Sequence, residues 1–365
     1  MENSRYLSDQ IITYIGNKRA LLPQIDKKII FVKKLLNKEK IKSCDLFSGS
    51  GIVSRLLKQH SSFLIANDLE AYSEIINRCH LCNTSDFSAD SFDHYLELLH
   101  KAIKEKPVNG IIATYYAPEN SDEVKENERC FYTHENAILI DSYRYYIDEL
   151  LPEEMKVFFL ARLLTEASIH TNTSGVFKGF YKNRQGIGQF GGEAQNALSR
   201  IKGKITIDQP VLSSYECEHE VYREDANTLI RKLPPLDLVY IDTPYDQHPY
   251  GSNYFMLNLI LKNEIPENIS KVSGIPSDWN RSSYNKANEA LHSMEDLIAN
   301  INARYILISY NNEGFIQKDD MEAMLKKYGS LVTDAVKYNA FRGSRNLSER
   351  NIYTDEYFFL LQKNQ

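Results

Sequence analysis

Long apolar runs are missing from these 365 residues. No stretch approaches the ~18 consecutive apolar residues of a membrane-spanning helix, so no span is expected. The opening Met1-Glu2-Asn3-Ser4-Arg5-Tyr6 lacks the apolar core of a signal peptide. Cysteine is sparse and odd in number, five in all, which argues against a disulfide framework and for a reducing cytoplasm. Positive charge is not in excess either. The net charge is −6, so any nucleic-acid partner must be held by a local basic patch rather than by bulk attraction. Cys79-His80-Leu81-Cys82 has no second Cys or His pair at a zinc spacing, which speaks against a metal site. What is present is ordinary for a folded soluble chain, 42% apolar and 25% charged residues, long enough for a large core and more than one typical domain.

The stretch that organises the rest is Leu236-Asp237-Leu238-Val239-Tyr240-Ile241-Asp242-Thr243-Pro244-Tyr245. A short apolar run ending in an acid predicts a buried parallel strand that stops at the sheet's carboxyl edge, where open α/β sheets hold ligands. Asp242, Thr243, Pro244 and Tyr245 then offer a carboxylate acceptor, a backbone carbonyl in a rigid turn and a flat stacking face. Such a set suits a planar ring bearing an exocyclic amine.

A second strand–turn–helix unit is predicted at Ser43-Cys44-Asp45-Leu46-Phe47-Ser48-Gly49-Ser50-Gly51, leading into Ile52-Val53-Ser54-Arg55. Its glycines allow close backbone approach to a ligand. Dinucleotide spacing is absent, and the acid Asp45 would repel a pyrophosphate, so a NAD-binding oxidoreductase is disfavoured and a cationic or zwitterionic nucleoside fits better. Phe63-Leu64-Ile65-Ala66-Asn67-Asp68 ends another apolar run on a carboxylate suited to ribose hydroxyls, and Asp225 follows the short run at Tyr222. Upstream, Tyr14-Ile15-Gly16-Asn17-Lys18-Arg19 reads as a turn before a helix with a solvated lysine face, or else as a rim in which Tyr14 and Lys18 face ligand or DNA.

Between residues 90 and 204 the parallel-sheet pattern gives way to helical segments near 95–99 and over 138–163, with a polar loop between them. The end of this region is basic: over 176–204 six cations, among them Lys178, Lys182 and Arg184, face Glu193 alone, interleaved with Phe177, Phe180, Tyr181 and Phe190. That is the local patch the acidic chain requires for nucleic acid, although a solvated face carries the same signature. Gly186-Ile187-Gly188-Gln189-Phe190-Gly191 matches the dinucleotide pattern by spacing only, since no strand precedes it. A mobile glycine loop against a nucleic-acid groove is the better expectation, with Arg184, Gln185 and Gln189 of types that read base edges. Two strands are predicted at 331–336 and 356–361, and the linker between them holds Arg342 and Arg345, placed for phosphate contact or simply solvated.

Taken in order, the residue 14–23 arm, Asp45-Leu46-Phe47-Ser48-Gly49-Ser50-Gly51 and Asp242-Thr243-Pro244-Tyr245 resemble the Dam-like (D12-class) DNA adenine-N6 methyltransferases, whose tetrad is usually Asp-Pro-Pro-Tyr. Thr243 departs from that pattern, while the carbonyl before Pro244 is retained. The resemblance implies a Rossmann-like class I α/β sheet with a terminal β-hairpin, formed by residues 1–90 and 205–365, and an inserted, mainly helical target-recognition domain over 91–204. It implies S-adenosyl-L-methionine as cofactor, held by Tyr14, Lys18, Asp45, Phe47, Gly49, Gly51, Asp68 and Asp225. Asp242 and the Thr243 carbonyl would orient the amine of a flipped-out base, with Tyr245 stacked on its ring. The implied partner is double-stranded DNA, contacted by Lys178, Lys182, Arg184, Gln185, Gln189, Arg342 and Arg345. The expected setting is a restriction-modification system with a cognate endonuclease acting on the same site. Cytosine N4 is the alternative target for the same fold, because its amine needs the same acceptors.

Overall fold

The computed structural model of the chain describes residues 2–339 and 353–364. Seven strands form one sheet in the order β3-β2-β1-β4-β5-β7-β6: β1 (Ile41–Asp45), β2 (Ser61–Asp68), β3 (Glu218–Arg223), β4 (Leu236–Ile241), β5 (Ala303–Asn311), β6 (Gly329–Asn339) and β7 (Tyr353–Lys363). The first five run parallel, and β7 lies antiparallel to both β5 and β6. The expected α/β sheet with its terminal hairpin is therefore present. From β1 the chain builds outward through β2 and β3, then returns to lay β4 against the other side of β1, pairing Asp45 with Tyr240. The direction of winding reverses between β1 and β4, and at such a switch point the strand ends open a crevice.

Every residue of β4 is buried, as expected for a strand covered on both faces. Alternation assigns its side chains to two cores. Val239 and Ile241 join Cys44, Ile65, Ile306 and Phe359 against the helices Ala290–Asn300 and Lys318–Leu325. Leu238 and Tyr240 join Leu64, Leu307 and Phe358 against the helices Leu22–Leu36 and Ile52–His60.

The helical region is built mainly from Ala89–Glu105, His134–Leu150 and Glu153–Ile169. The continuous helical pattern expected over 138–163 is broken at Leu151-Pro152, because Pro152 cannot continue a helix but caps the start of the next one. The core of this region also takes in Ile11, Ile12, Tyr72 and Ile76, and the helix Phe255–Lys262 through Phe255, Met256 and Leu259. The helices thus rest directly on the segment that follows the tetrad.

Candidate active site

The turn after β1 is made of small residues because an aromatic ring lies on it. Gly49 has φ +50°, and a Cβ there would stand 2.7 Å from the Tyr14 ring. Its N–H donates to Asp68 Oδ2 at 2.8 Å, and Asp68 Oδ1 accepts from the Glu70 N–H at 2.9 Å. Asn67 ties the strand ends together: its amide donates to the carbonyls of Leu46 and Glu224, and its oxygen accepts from the Glu224 N–H. Gly51, expected on the cofactor wall, is not among the lining residues. It caps the helix Ile52–His60 at φ +76°, with Asn77 where a Cβ would go, so its requirement for glycine is a turn requirement.

The other seven residues expected at the cofactor, Tyr14, Lys18, Asp45, Phe47, Gly49, Asp68 and Asp225, line one cleft together with Asp242 and Pro244. Its floor is acidic and buried. Asp45 Oδ2 accepts from Ser54 Oγ at 2.6 Å, whereas its Oδ1 is buried without a hydrogen-bond partner among the described residues. Burial, and then the charges of Asp242 and Asp68, push the Asp45 carboxyl up to about 7. Glu70, which the sequence did not single out, lines the same wall, and burial followed by Asp68 raises it to about 7. Buried carboxylates with unfilled acceptor capacity favour a cationic ligand that donates hydrogen bonds.

Asp242 stands at the end of β4 and ion-pairs with Lys18 Nζ at 2.9 Å. Lys18 is 3% exposed, so it is a buried partner of the tetrad and not part of an exposed rim. A second carboxylate, Glu356 on β7, meets the same ammonium at 3.1 Å. Burial alone would lower the Lys18 ammonium, but the two carboxylates outweigh it and hold it well above its ordinary value. Burial raises Asp242 to about 6; Lys18 opposes that shift and Glu356 adds to it. Thr243 is buried and its hydroxyl has no partner among the described residues. Tyr245 packs edge-on to Tyr310 at 6.3 Å.

Tyr14 forms a stack with Tyr250 and Tyr254, its ring centroid 5.0 and 4.8 Å from theirs. The Tyr250 hydroxyl donates to the Ile15 carbonyl and the Tyr254 hydroxyl accepts from the Ile15 N–H. The arm is thereby bolted to the segment after the tetrad. Neither tyrosine was legible as a site residue; the signal was the abundance of tyrosine just downstream of Tyr245.

The basic stretch folds into a small hairpin closed by the bridge between Lys182 and Gly188, with Arg184, Gln185 and Gly186 exposed at its tip. The C-terminal part of the glycine loop is packed: Asn172 donates to the Gln189 carbonyl and accepts from the Gly191 N–H, and a Cβ on Gly188 would meet Cys130 at 2.5 Å, whereas Gly186 at the tip has open space around it. Lys182 lies over the Phe180 ring, and Lys178 Nζ is 3.3 Å from His248 Nδ1 in the loop after the tetrad. Arg184 ion-pairs with Glu193 at 3.3 Å. Arg200 turns inward to the carbonyls of Ile169 and Thr171, so one of the six cations in this stretch serves the fold. Arg342 and Arg345 lie outside the described residues. Among the described residues no cluster of His, Cys, Asp and Glu is placed to hold a metal ion, and His80 of the Cys-His-Leu-Cys run instead meets the Val211 carbonyl.

The model of the D12 class N6 adenine-specific DNA methyltransferases matches residues 14–324. The chain belongs to this family. It is 29% identical to Type II methyltransferase M.NlaIII of Neisseria lactamica over 96% of this chain and 99% of that protein. It is 31% identical to Type II methyltransferase M.CviAII of Paramecium bursaria Chlorella virus 1 over 96% and 98%. Modification methylase StsI of Streptococcus sanguinis is 28% identical over 96% of this chain, which spans about half of that longer protein, 52%. The D12-class assignment makes the chain an adenine-N6 DNA methyltransferase with restriction-modification relatives, and cytosine N4 is not favoured. No helix among the described residues is long and apolar enough to cross a membrane.

Proposed function

We propose that this D12-class enzyme transfers the methyl group of S-adenosyl-L-methionine to N6 of an adenine flipped out of duplex DNA, with Asp242 as the amine acceptor. The observation that carries the reading is that the unpartnered Asp45 Oδ1 and the Asp242 carboxylate line a single cleft. The cofactor's chemistry suits these residues. Its ammonium matches the buried, unsatisfied Asp45; Asp68 and Glu70 at the end of β2 are acceptors for ribose hydroxyls; Phe47 and Asp225 flank the space left for an adenine ring. When bound, this group supplies an electrophilic methyl on a sulfonium centre.

The chain's own residues do the rest. Asp242 and the Thr243 carbonyl accept hydrogen bonds from the exocyclic amine and turn its lone pair toward the methyl donor. Pro244 fixes that carbonyl, since proline sets its own φ and restricts the residue before it. Tyr245 stacks on the extruded ring, recovering part of the few kcal/mol that unstacking costs. The base nitrogen is the nucleophile, so positioning and a fixed electrostatic field carry the catalysis.

The hairpin tip with Arg184 and Gln185 is the element we assign to the DNA groove, with Lys178 and Lys182 on phosphates. Its position supports this: the Lys178–His248 contact joins it to the loop leaving the tetrad. The setting we propose is cytoplasmic, with a cognate endonuclease that cuts the same unmethylated site. Incubation with duplex DNA and S-adenosylmethionine labelled in the methyl group, followed by nucleoside analysis, tests the reaction. Label in N6-methyladenine is expected; label confined to cytosine, or to protein, contradicts it.

A further inference from the structure

Glu356 has no place in the scheme above, yet it is the most completely buried charged group near the reacting amine. It is 0% exposed, in a strand whose buried face otherwise continues through Phe358 and Leu360. Three strands hold it: β7 carries it, Ser309 Oγ on β5 donates to its Oε1, and the Tyr338 hydroxyl on β6 stands 3.5 Å from its Oε2. A fully buried carboxylate is costly unless paired. Its partner is Lys18, the cation already bound to Asp242.

Resting on the reading of Asp242 as amine acceptor, we propose that Glu356 is a positioning residue that shares Lys18 with Asp242 and so leaves the group of these three side chains with one net negative charge. One ammonium between two carboxylates neutralises only half of their charge. Without Glu356 the ammonium and Asp242 would form a closed neutral pair, and Lys18 would compete with the substrate amine for the acceptor oxygens. The reaction needs the opposite. As the nitrogen lone pair forms the N–C bond and the C–S pair returns to sulfur, positive charge passes from sulfur to the amine beside Asp242. The nitrogen then sheds one proton, which Asp242 is placed to pass to water. A fixed negative charge next to the nitrogen is therefore worth more in the transition state than in the ground state. The other charged group facing Asp242 is Asp45 at the end of β1. The phenols of Tyr240, Tyr245, Tyr250 and Tyr338 around it have raised pKa values and are neutral, so the balance of charge depends on Lys18 and the carboxylates.

The test compares a shape-keeping and a charge-keeping substitution in the full-length protein, E356Q and E356D, with the double variant K18M/E356Q. Methyl transfer to duplex DNA is measured across pH, and S-adenosylmethionine binding is measured by calorimetry. The expected result for E356Q is a fall in kcat of at least tenfold, cofactor affinity within about threefold of wild type, and an acid limb moved to lower pH because the neighbouring charge is gone. E356D should retain more turnover than E356Q, and K18M/E356Q, with one net negative charge restored, should exceed E356Q at least threefold. E356Q at or above E356D in kcat, or no recovery in the double variant, would overturn the proposal. So would a loss of cofactor binding in E356Q equal to its loss of turnover, which would make Glu356 a purely structural residue. Failure of the acceptor reading itself shows elsewhere, as wild-type turnover in Asp242→Asn.

Discussion

The cleft at the strand ends and the hairpin at residues 181–189 are both polar, and they are built on opposite principles. In the cleft and beside it, Asp45, Asp242, Lys18 and Glu356 are buried or nearly so, and Lys18, Asp242 and Glu356 hold one another from distant parts of the chain. At the hairpin, Arg184 is 90% exposed and its partner Glu193 is nine residues away. Burial makes the first set of charges strong and fixed, because water cannot screen them. Exposure makes the second set weak one by one, adjustable and dependent on salt. Chemistry that must recur unchanged in every turnover suits the first environment. Recognition, which must form and dissolve on a charged polymer, suits the second.

The largest expected difference between the two regions comes from removing Asp242. Asp242→Ala should lower single-turnover methyl transfer by about 10²–10³-fold, the range found when one preorganised electrostatic partner is deleted, while calorimetry shows cofactor binding within a few fold of wild type. Comparable turnover in the variant would place the chemistry elsewhere. Next in size is Gly49→Ala, which puts a Cβ 2.7 Å from the Tyr14 ring at a left-handed φ. The left-handed conformation alone costs about 1–2 kcal/mol in an L-residue, so roughly tenfold weaker cofactor binding and a lower melting temperature are expected. Unaltered binding would mean that the turn does not approach the ligand.

At the hairpin the expected effects are smaller and of another kind. Neutralising Lys182 and Arg184 together should reduce the slope of log Kd against log salt by at most about 2, one for each phosphate that the protein no longer neutralises. An unchanged slope would make the hairpin a solvated face. Smallest of all is Thr243→Val, which removes a buried hydroxyl with no partner among the described residues. A gain of up to about 1 kcal/mol in urea unfolding is expected, and a clear loss would show that the hydroxyl is satisfied in the working enzyme.

The same contrast governs what was readable from sequence. Buried strands announce themselves: β4 reads as an apolar run ending in Asp242 because both faces of the sheet demand it. Of the seven lining residues, Asp45, Gly49, Asp68 and Asp225 read as acids and a small residue near strand ends, whereas Tyr14, Lys18 and Phe47 came only with the resemblance to the family. Glu356 did not, because its partner Lys18 lies more than 300 positions away and an acid near the start of a strand reads as solvent-facing. Its phase was the available signal, since Glu356 alternates with Phe358 and Leu360 on the buried face. Gly51, expected at the cofactor, and Arg200, counted only as one cation of the basic stretch, take structural positions for a related reason. A glycine beside a ligand and a glycine at a helix cap look alike in sequence, as do a phosphate-binding arginine and one that closes off helix-end carbonyls. Only the fold separates them.

An Asp242 that accepts the amine must be ionised when buried, so the rate should follow its protonation state. Burial raises this carboxyl to about 6. Protonation below that value removes the acceptor, so single-turnover methyl transfer at saturating cofactor and DNA should be constant near pH 8 and fall about tenfold per unit as pH drops well below 6. In Asp242→Asn that acid limb should vanish along with most of the rate. A wild-type rate that stays flat from pH 8 to pH 5, or an Asn variant that keeps the same limb, would show that Asp242 is not the acceptor.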